Sequence, residues 1–264
     1  MRTIELITAE TITSRLESIR ESYEKLYETS VSSVLEDALI ERLSPTEPFL
    51  ENDKLAVVFR KVIVEDYSVP IVVLKDGEVF FIIDGHHRAF IDKKLGKSRI
   101  QSYVLSLPSA HLSKRQWFSL DCLEIGEVVQ IEDPELNTWA RILKLLKYYE
   151  KIYKVPFQMR QLNIRIDELV PTQPVIEEER LYPLREPSVP IACLESGGRY
   201  YILDGHVRSL SARLLGQSTI SAIILWSKEI NRFGVEKNSE SLGLTSLGDI
   251  RILGSGNPLH ERRI

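Results

Sequence analysis

Five adjacent residues, Asp84-Gly85-His86-His87-Arg88, bring together a carboxylate, a glycine, two imidazoles and a guanidinium. A near-copy, Asp204-Gly205-His206-Val207-Arg208, recurs 120 positions later. Each run follows a β-branched and aromatic stretch, "VFFII" or "YYIL", and precedes helix-forming residues that close on Gly96 or Gly216. A glycine at such a strand-to-helix junction lets the backbone turn sharply and approach a ligand closely. The amides that open the helix lack intrahelical partners, and the helix dipole adds positive character there. Ring N–H groups of His86 and His87 and the fork of Arg88 are suited to phosphate oxygens. Asp84 repels phosphate, so its natural task is to orient a cation or a hydroxyl about to react. Together these residues read as a phosphate cradle with one acidic group beside it. A single D-G-H run is better explained as a cap, a turn and surface hydrogen bonding; its recurrence at the same kind of junction weighs toward a ligand, although a repeated fold can also retain a cap for structural reasons.

The elements that must position this device are repeated as well. "VPIVVLKDGEVFFIIDGHHRAFIDKKLG" (69–96) matches "VPIACLESGGRYYILDGHVRSLSARLLG" (189–216) without a gap. Upstream, "IERLSPTEPFLENDK" (40–54) matches "IDELVPTQPVIEEER" (166–180) at an offset of 126, so the first copy carries six extra residues before its V-P-I. Each unit reads as a P-T-x-P corner, an acidic segment, two strands, the D-G-H-x-R junction, a helix and a returning strand, "SRIQSYVL" or "STISAIIL". Residues 38–107 and 163–226 form the two units of an α/β (α+β) chain. Repeats this short bury their faces against each other, so one pseudo-symmetric body is expected.

Residues 1–37 are read as a helical segment whose apolar face is Ile12, Leu16, Ile19, Tyr23 and Leu26. Residues 108–162 link the units. Their helix has Asp133 as N-cap, Pro134 at its first position and an apolar face of Trp139, Leu143, Leu146 and Tyr149. Residues 227–264, rich in Gly and Ser, are expected to be an irregular or mobile tail. A net charge of −4 over 264 residues gives no global attraction to nucleic acid or anionic lipid. Cys122 and Cys193 have no CxxC spacing, which argues against a disulfide framework or zinc cluster and for a reducing cytoplasm. No apolar run suits a signal peptide or a membrane span. His86 and His87 are adjacent and His111, His206 and His260 scattered, so no protein metal site is expected.

The string "PTEP…VPIVVL…FFIIDGHHRAFIDKKLG" resembles the ParB/sulfiredoxin superfamily, in which a D-G-H-H-R or G-E-R-R-type motif at a helix start binds nucleotide phosphates. The resemblance covers both units. Its D-G-H-H-R spelling is most similar to free serine kinases, which move a phosphoryl group from ADP or ATP to the hydroxyl of free L-serine. The resemblance implies that Glu47 of "SPTEP" is the catalytic base and that Asp84 assists at the hydroxyl. Gly85, His86, His87 and Arg88 would hold the phosphates, with Mg²⁺ arriving on the nucleotide. The second copy has Gln173 and Val207, so Asp204, Gly205, His206 and Arg208 would form a degenerate second site. Sulfiredoxin chemistry needs a cysteine where His86 stands and is excluded. The alternative is a ParB-like NTPase that binds DNA or acts as a nuclease. A basic stripe of Arg141, Lys144, Lys147, Lys151 and Lys154 is compatible with it, although such a stripe is more often a solvated helix face, and no helix-turn-helix is evident between Leu107 and Asn163.

Overall fold

The computed structural model describes residues 4–108, 117–126 and 131–254, and the backbone of 261–263. His111 and His260 lie outside the described residues. The chain is a mixed α/β protein that divides into two compact units, Met1–Ala140 and Arg141–Ile264.

In the first unit, helix α1 (Ile12–Tyr27) is followed by β1 (Ser32–Leu39), β2 (Leu43–Ser44), β3 (Phe49–Leu50) and helix α2 (Asn52–Glu65). Then come β4 (Ile71–Asp76), β5 (Val79–Asp84), helix α3 (His86–Lys94), β6 (Arg99–Ser106) and β7 (Glu124–Ile125). Five strands form one sheet in the order β1-β6-β4-β5-β2. Its central strands are buried on both faces: Ile71 to Leu74 are fully buried, as is Ile82. Strand alternation explains this. Val72 and Leu74 pack against Ile12, Leu16 and Ile19 of α1, while Ile71 points the other way, against Gly85. Leu26, grouped with the apolar face of α1 from spacing, is instead 70% exposed. The helix ends one turn beyond its last packed position, with Glu28 in the left-handed conformation.

Helix α4 (Pro134–Tyr153) spans the division between the units. Asp133 caps it as expected, accepting from the amides of Glu135 and Leu136 at 2.9 and 3.3 Å. Trp139, Leu143, Leu146 and Tyr149 are buried. Lys154 falls beyond the helix with a positive φ, so the basic stripe ends at Lys151.

The second unit contains β8 (Gln158–Arg165), β9 (Leu169–Val170), β10 (Val175–Glu177), the single-turn α5 (Glu178–Leu181), β11 (Ile191–Ser196) and β12 (Arg199–Asp204). Helix α6 (His206–Leu214), β13 (Thr219–Trp226), α7 (Gly234–Ser241), β14 (Arg251–Leu253) and β15 (Glu261–Arg263) complete it. Its five-stranded sheet, β8-β13-β11-β12-β9, repeats the first in order and in the parallel or antiparallel sense of every pair. The six extra residues of the first unit lengthen α2, where the second unit has the one turn of α5. The segment after Trp226 is not an irregular tail over its described part. Phe233, Leu244, Leu247, Ile250 and Ile252 are buried, and β14 pairs in parallel with β10. Apolar residues spaced among the glycines and serines supply that anchorage.

Candidate active site

The junction between β5 and α3 is shaped by two local devices. A β-bulge in β5 puts Ile83 between the partners of Val72 and Val73, which turns Asp84 out of the strict alternation. Gly85 follows with φ +102°, and a Cβ there would lie 2.4 Å from Ile71 Cγ2. Only glycine fits that backbone against that neighbour. The far end of α3 closes as the Gly96 signal indicates: the Lys97 amide donates to Asp92 O and the Gly96 amide to Lys93 O, both at 3.0 Å.

These devices open onto a cleft of about 490 Å³. Glu47, Asp84 and the run Gly85 to Arg88 all line it, so the structure brings together every candidate residue of the first unit. It adds residues that the motif did not mark: Arg15 from α1, Lys54 and Val58 from α2, and Tyr67. The sequence signal for Lys54 and Val58 was the apolar spacing of Leu55, Val58 and Phe59, which defines α2 and so places Lys54 on its first turn.

His86 is 4% exposed and points back into the unit. Its Nε2 accepts from the Thr46 amide at 3.1 Å, and Thr46 Oγ1 in turn donates to Ile82 O at 2.7 Å. An amide can only donate, so Nε2 carries a lone pair and the ring proton sits on Nδ1. Nδ1 lies 3.9 Å from Glu47 Oε2. Burial pushes the pKa of His86 down, and the Glu47 carboxylate opposes that shift. The imidazole is therefore neutral near pH 7, with its N–H toward Glu47.

His87 is also buried, at 9% exposure. It hydrogen-bonds the backbone of Glu51, while its Nε2 is buried without a hydrogen-bond partner. Burial above all, and then Lys54 and His86, lower its pKa to about 4.

Arg88 does not extend into the cleft as a free fork. It is 6% exposed, and its Nη1 donates to Val69 O and Pro70 O at 2.8 and 2.6 Å. Its Nη2 bonds Asp84 Oδ2 at 2.6 Å, while Arg15 Nε stands 3.8 Å from Asp84 Oδ1. Arg88 thus holds the V-P-I turn and the Asp84 carboxylate in one geometry. Tyr67 donates its hydroxyl to Ile7 O at 2.6 Å and has its pKa raised by burial.

The second unit repeats the scaffold and changes the chemistry. The Thr172 amide donates to His206 Nε2 at 3.0 Å, and Thr172 Oγ1 donates to Ile202 O at 2.7 Å. Gly205 has φ +104° against Ile191, and a bulge precedes Asp204. Asp204 bonds Arg208 at 3.2 Å and Arg141 at 2.9 Å. Where the first unit has Glu47, Gln173 turns its amide to Val175 O at 2.8 Å. Val207, in the place of His87, packs against the apolar core of the unit.

No known protein-family model matches the chain. An uncharacterized protein from Methanocaldococcus jannaschii is 29% identical over 129 residues, covering 46% of this chain and 48% of the relative. The chain thus spans about half the length of that curated relative. Among solved structures, sulfiredoxin from Arabidopsis thaliana is similar at 19% identity, covering 27% of this chain and 83% of that one, with a TM-score of 0.24. A free serine kinase in complex with AMP is similar at 14% identity over 80% of this chain and 73% of that one, with a TM-score of 0.25. The chemistry of the site therefore stands on its own residues. Among the described residues, no helix is long and apolar enough to cross a membrane.

Proposed function

We propose that the first unit is a ParB/sulfiredoxin-like phosphotransferase that moves a phosphoryl group from ATP or ADP to the hydroxyl of a small molecule, free L-serine foremost. One observation carries this reading. A single cleft is lined by an exposed carboxylate, Glu47, by a helix start with left-handed Gly85, and by the cationic side chains of Lys54 and Arg15.

The nucleotide phosphates lie over the amides that open α3, with Lys54 and Arg15 supplying positive charge. Glu47 takes the proton of the substrate hydroxyl. The hydroxyl oxygen forms its bond to the terminal phosphorus as the bond to the nucleotide oxygen breaks, and the shortened nucleotide leaves. Asp84, fixed by Arg88, orients the hydroxyl. Positioning and electrostatics supply most of the rate.

The donors present suit a magnesium ion that arrives on the nucleotide. Phosphates and water would hold most of the ion. Glu5 and Glu51, the remaining carboxylates of the cleft wall, would meet its waters. Bound there, magnesium would neutralise phosphate charge.

The second unit is read as a copy retained for its scaffold, since Gln173 cannot accept a proton from a hydroxyl. The test is nucleotide consumption by purified protein with Mg²⁺, with and without L-serine, scoring free phosphate and phosphoserine. Phosphoserine that disappears in Glu47→Gln, with nucleotide binding kept, is the expected result. Serine-independent phosphate release, or full activity in Glu47→Gln, would refute it.

A further inference from the structure

Both junctions keep the first histidine, and the hydrogen bonds explain why. His86 and His206 make the same fastening: the amide of the P-T-x-P threonine to Nε2 at 3.1 and 3.0 Å, and its Oγ1 to the preceding strand at 2.7 Å in both. This ties the corner to the helix start across 40 residues in one unit and 34 in the other. What differs is the residue beside the threonine. In the first unit it is Glu47, 3.9 Å from the opposite nitrogen of the ring; in the second it is Gln173, which turns to Val175 O.

We infer that His86 is a positioning residue for Glu47: the Thr46 amide fixes its tautomer, and the resulting Nδ1–H orients the Glu47 carboxylate toward the reacting hydroxyl. This rests on the reading of Glu47 as the base. His206 makes the same fastening beside Gln173, which turns away to Val175 O, and so provides an internal control. The 3.9 Å separation is longer than a hydrogen bond, so the inference requires the pair to close when substrate binds. The charged groups facing His86 are Glu47 and Asp84, which favour its protonated form, and Lys54, which opposes it.

Glutamine places an amide oxygen near the position of Nε2, so His86→Gln keeps the acceptor for Thr46 and removes the N–H that faces Glu47. Asparagine does the reverse. His86→Gln, His206→Gln, His86→Asn and Glu47→Gln are compared for thermal midpoint, nucleotide Kd and the pH profile of kcat. The expected result for His86→Gln is a wild-type midpoint and Kd, with kcat lower by about tenfold or more across the pH profile. His206→Gln should leave all three unchanged, and His86→Asn should lose thermal stability while recovering part of kcat relative to His86→Gln.

If Glu47→Gln is inactive and His86→Gln matches His206→Gln in kcat and profile, the inference falls while the phosphotransferase reading stands. Full activity in Glu47→Gln removes both. Nitrogen-15 spectra of the histidines in wild-type protein give a readout independent of any variant. An Nδ1–H tautomer at His86 and His206 supports the assignment, and an Nε2–H tautomer at His86 overturns it.

Discussion

Replacing His87 by valine, the residue that the second unit carries at the matching position, should flatten the acid limb of the protein's stability. An imidazole has an ordinary pKa of 6.5, and burial brings that of His87 to about 4 in the folded chain. Between those two values the unfolded chain binds more protons than the folded one, so stability falls as the pH falls through that window. Above about pH 6.5 the neutral ring is present in both states and no proton-linked loss occurs. A difference of about 2.5 units at about 1.4 kcal/mol each makes the full loss about 3.5 kcal/mol, of which about 3 kcal/mol is reached by pH 4, where the folded-state ring is half protonated. Lys54 and His86 add to the depression, while the hydrogen bond to the Glu51 backbone and the charge of Asp53 oppose it. His86 and His206 have pKa values shifted the same way, so the whole protein should weaken in acid. Subtracting the variant from the wild type isolates one ring. The assay is urea unfolding followed by circular dichroism at half-unit steps from pH 7 to pH 4. The wild-type midpoint should approach that of the variant, or drop below it, as the pH falls, with the difference changing by about 3 kcal/mol. Parallel stability curves for the two proteins would refute the account of His87 as a buried neutral base.

Two further substitutions test how the junction is built. Gly85→Ala forces a Cβ to within 2.4 Å of Ile71 at φ +102°. It should destabilise the first unit by about 2–4 kcal/mol, read as a fall in the denaturation midpoint, and it should weaken nucleotide binding. Lys54→Met keeps the length of a helix side chain on the first turn of α2 and removes its charge. Nucleotide Kd, measured by calorimetry at fixed ionic strength, should rise about tenfold with a smaller salt dependence. An unchanged Kd would remove Lys54 from the phosphate site.

Much of this architecture is legible along the chain because it is local. The strands around "VFFII" and "YYIL", the Gly96 and Gly216 helix ends and the Asp133 cap depend on residues within a few positions of one another, and each is present. The motif also located the cleft, since Asp84 to Arg88 and Glu47 line it together. The roles within the motif were not legible. A sequence shows that His86, His87 and Arg88 can donate; it does not show which of their nitrogens already have partners. Tertiary contacts decided that: Thr46, forty residues upstream, takes His86; the Val69 and Pro70 carbonyls and Asp84 take Arg88; the buried Nε2 of His87 is left open. The bulge that turns Asp84, the Lys54 wall, and the anchored segment after Trp226 have the same origin. Local propensity decides where a strand or helix forms, whereas the direction in which a polar side chain is satisfied depends on which distant backbone groups the fold carries to it.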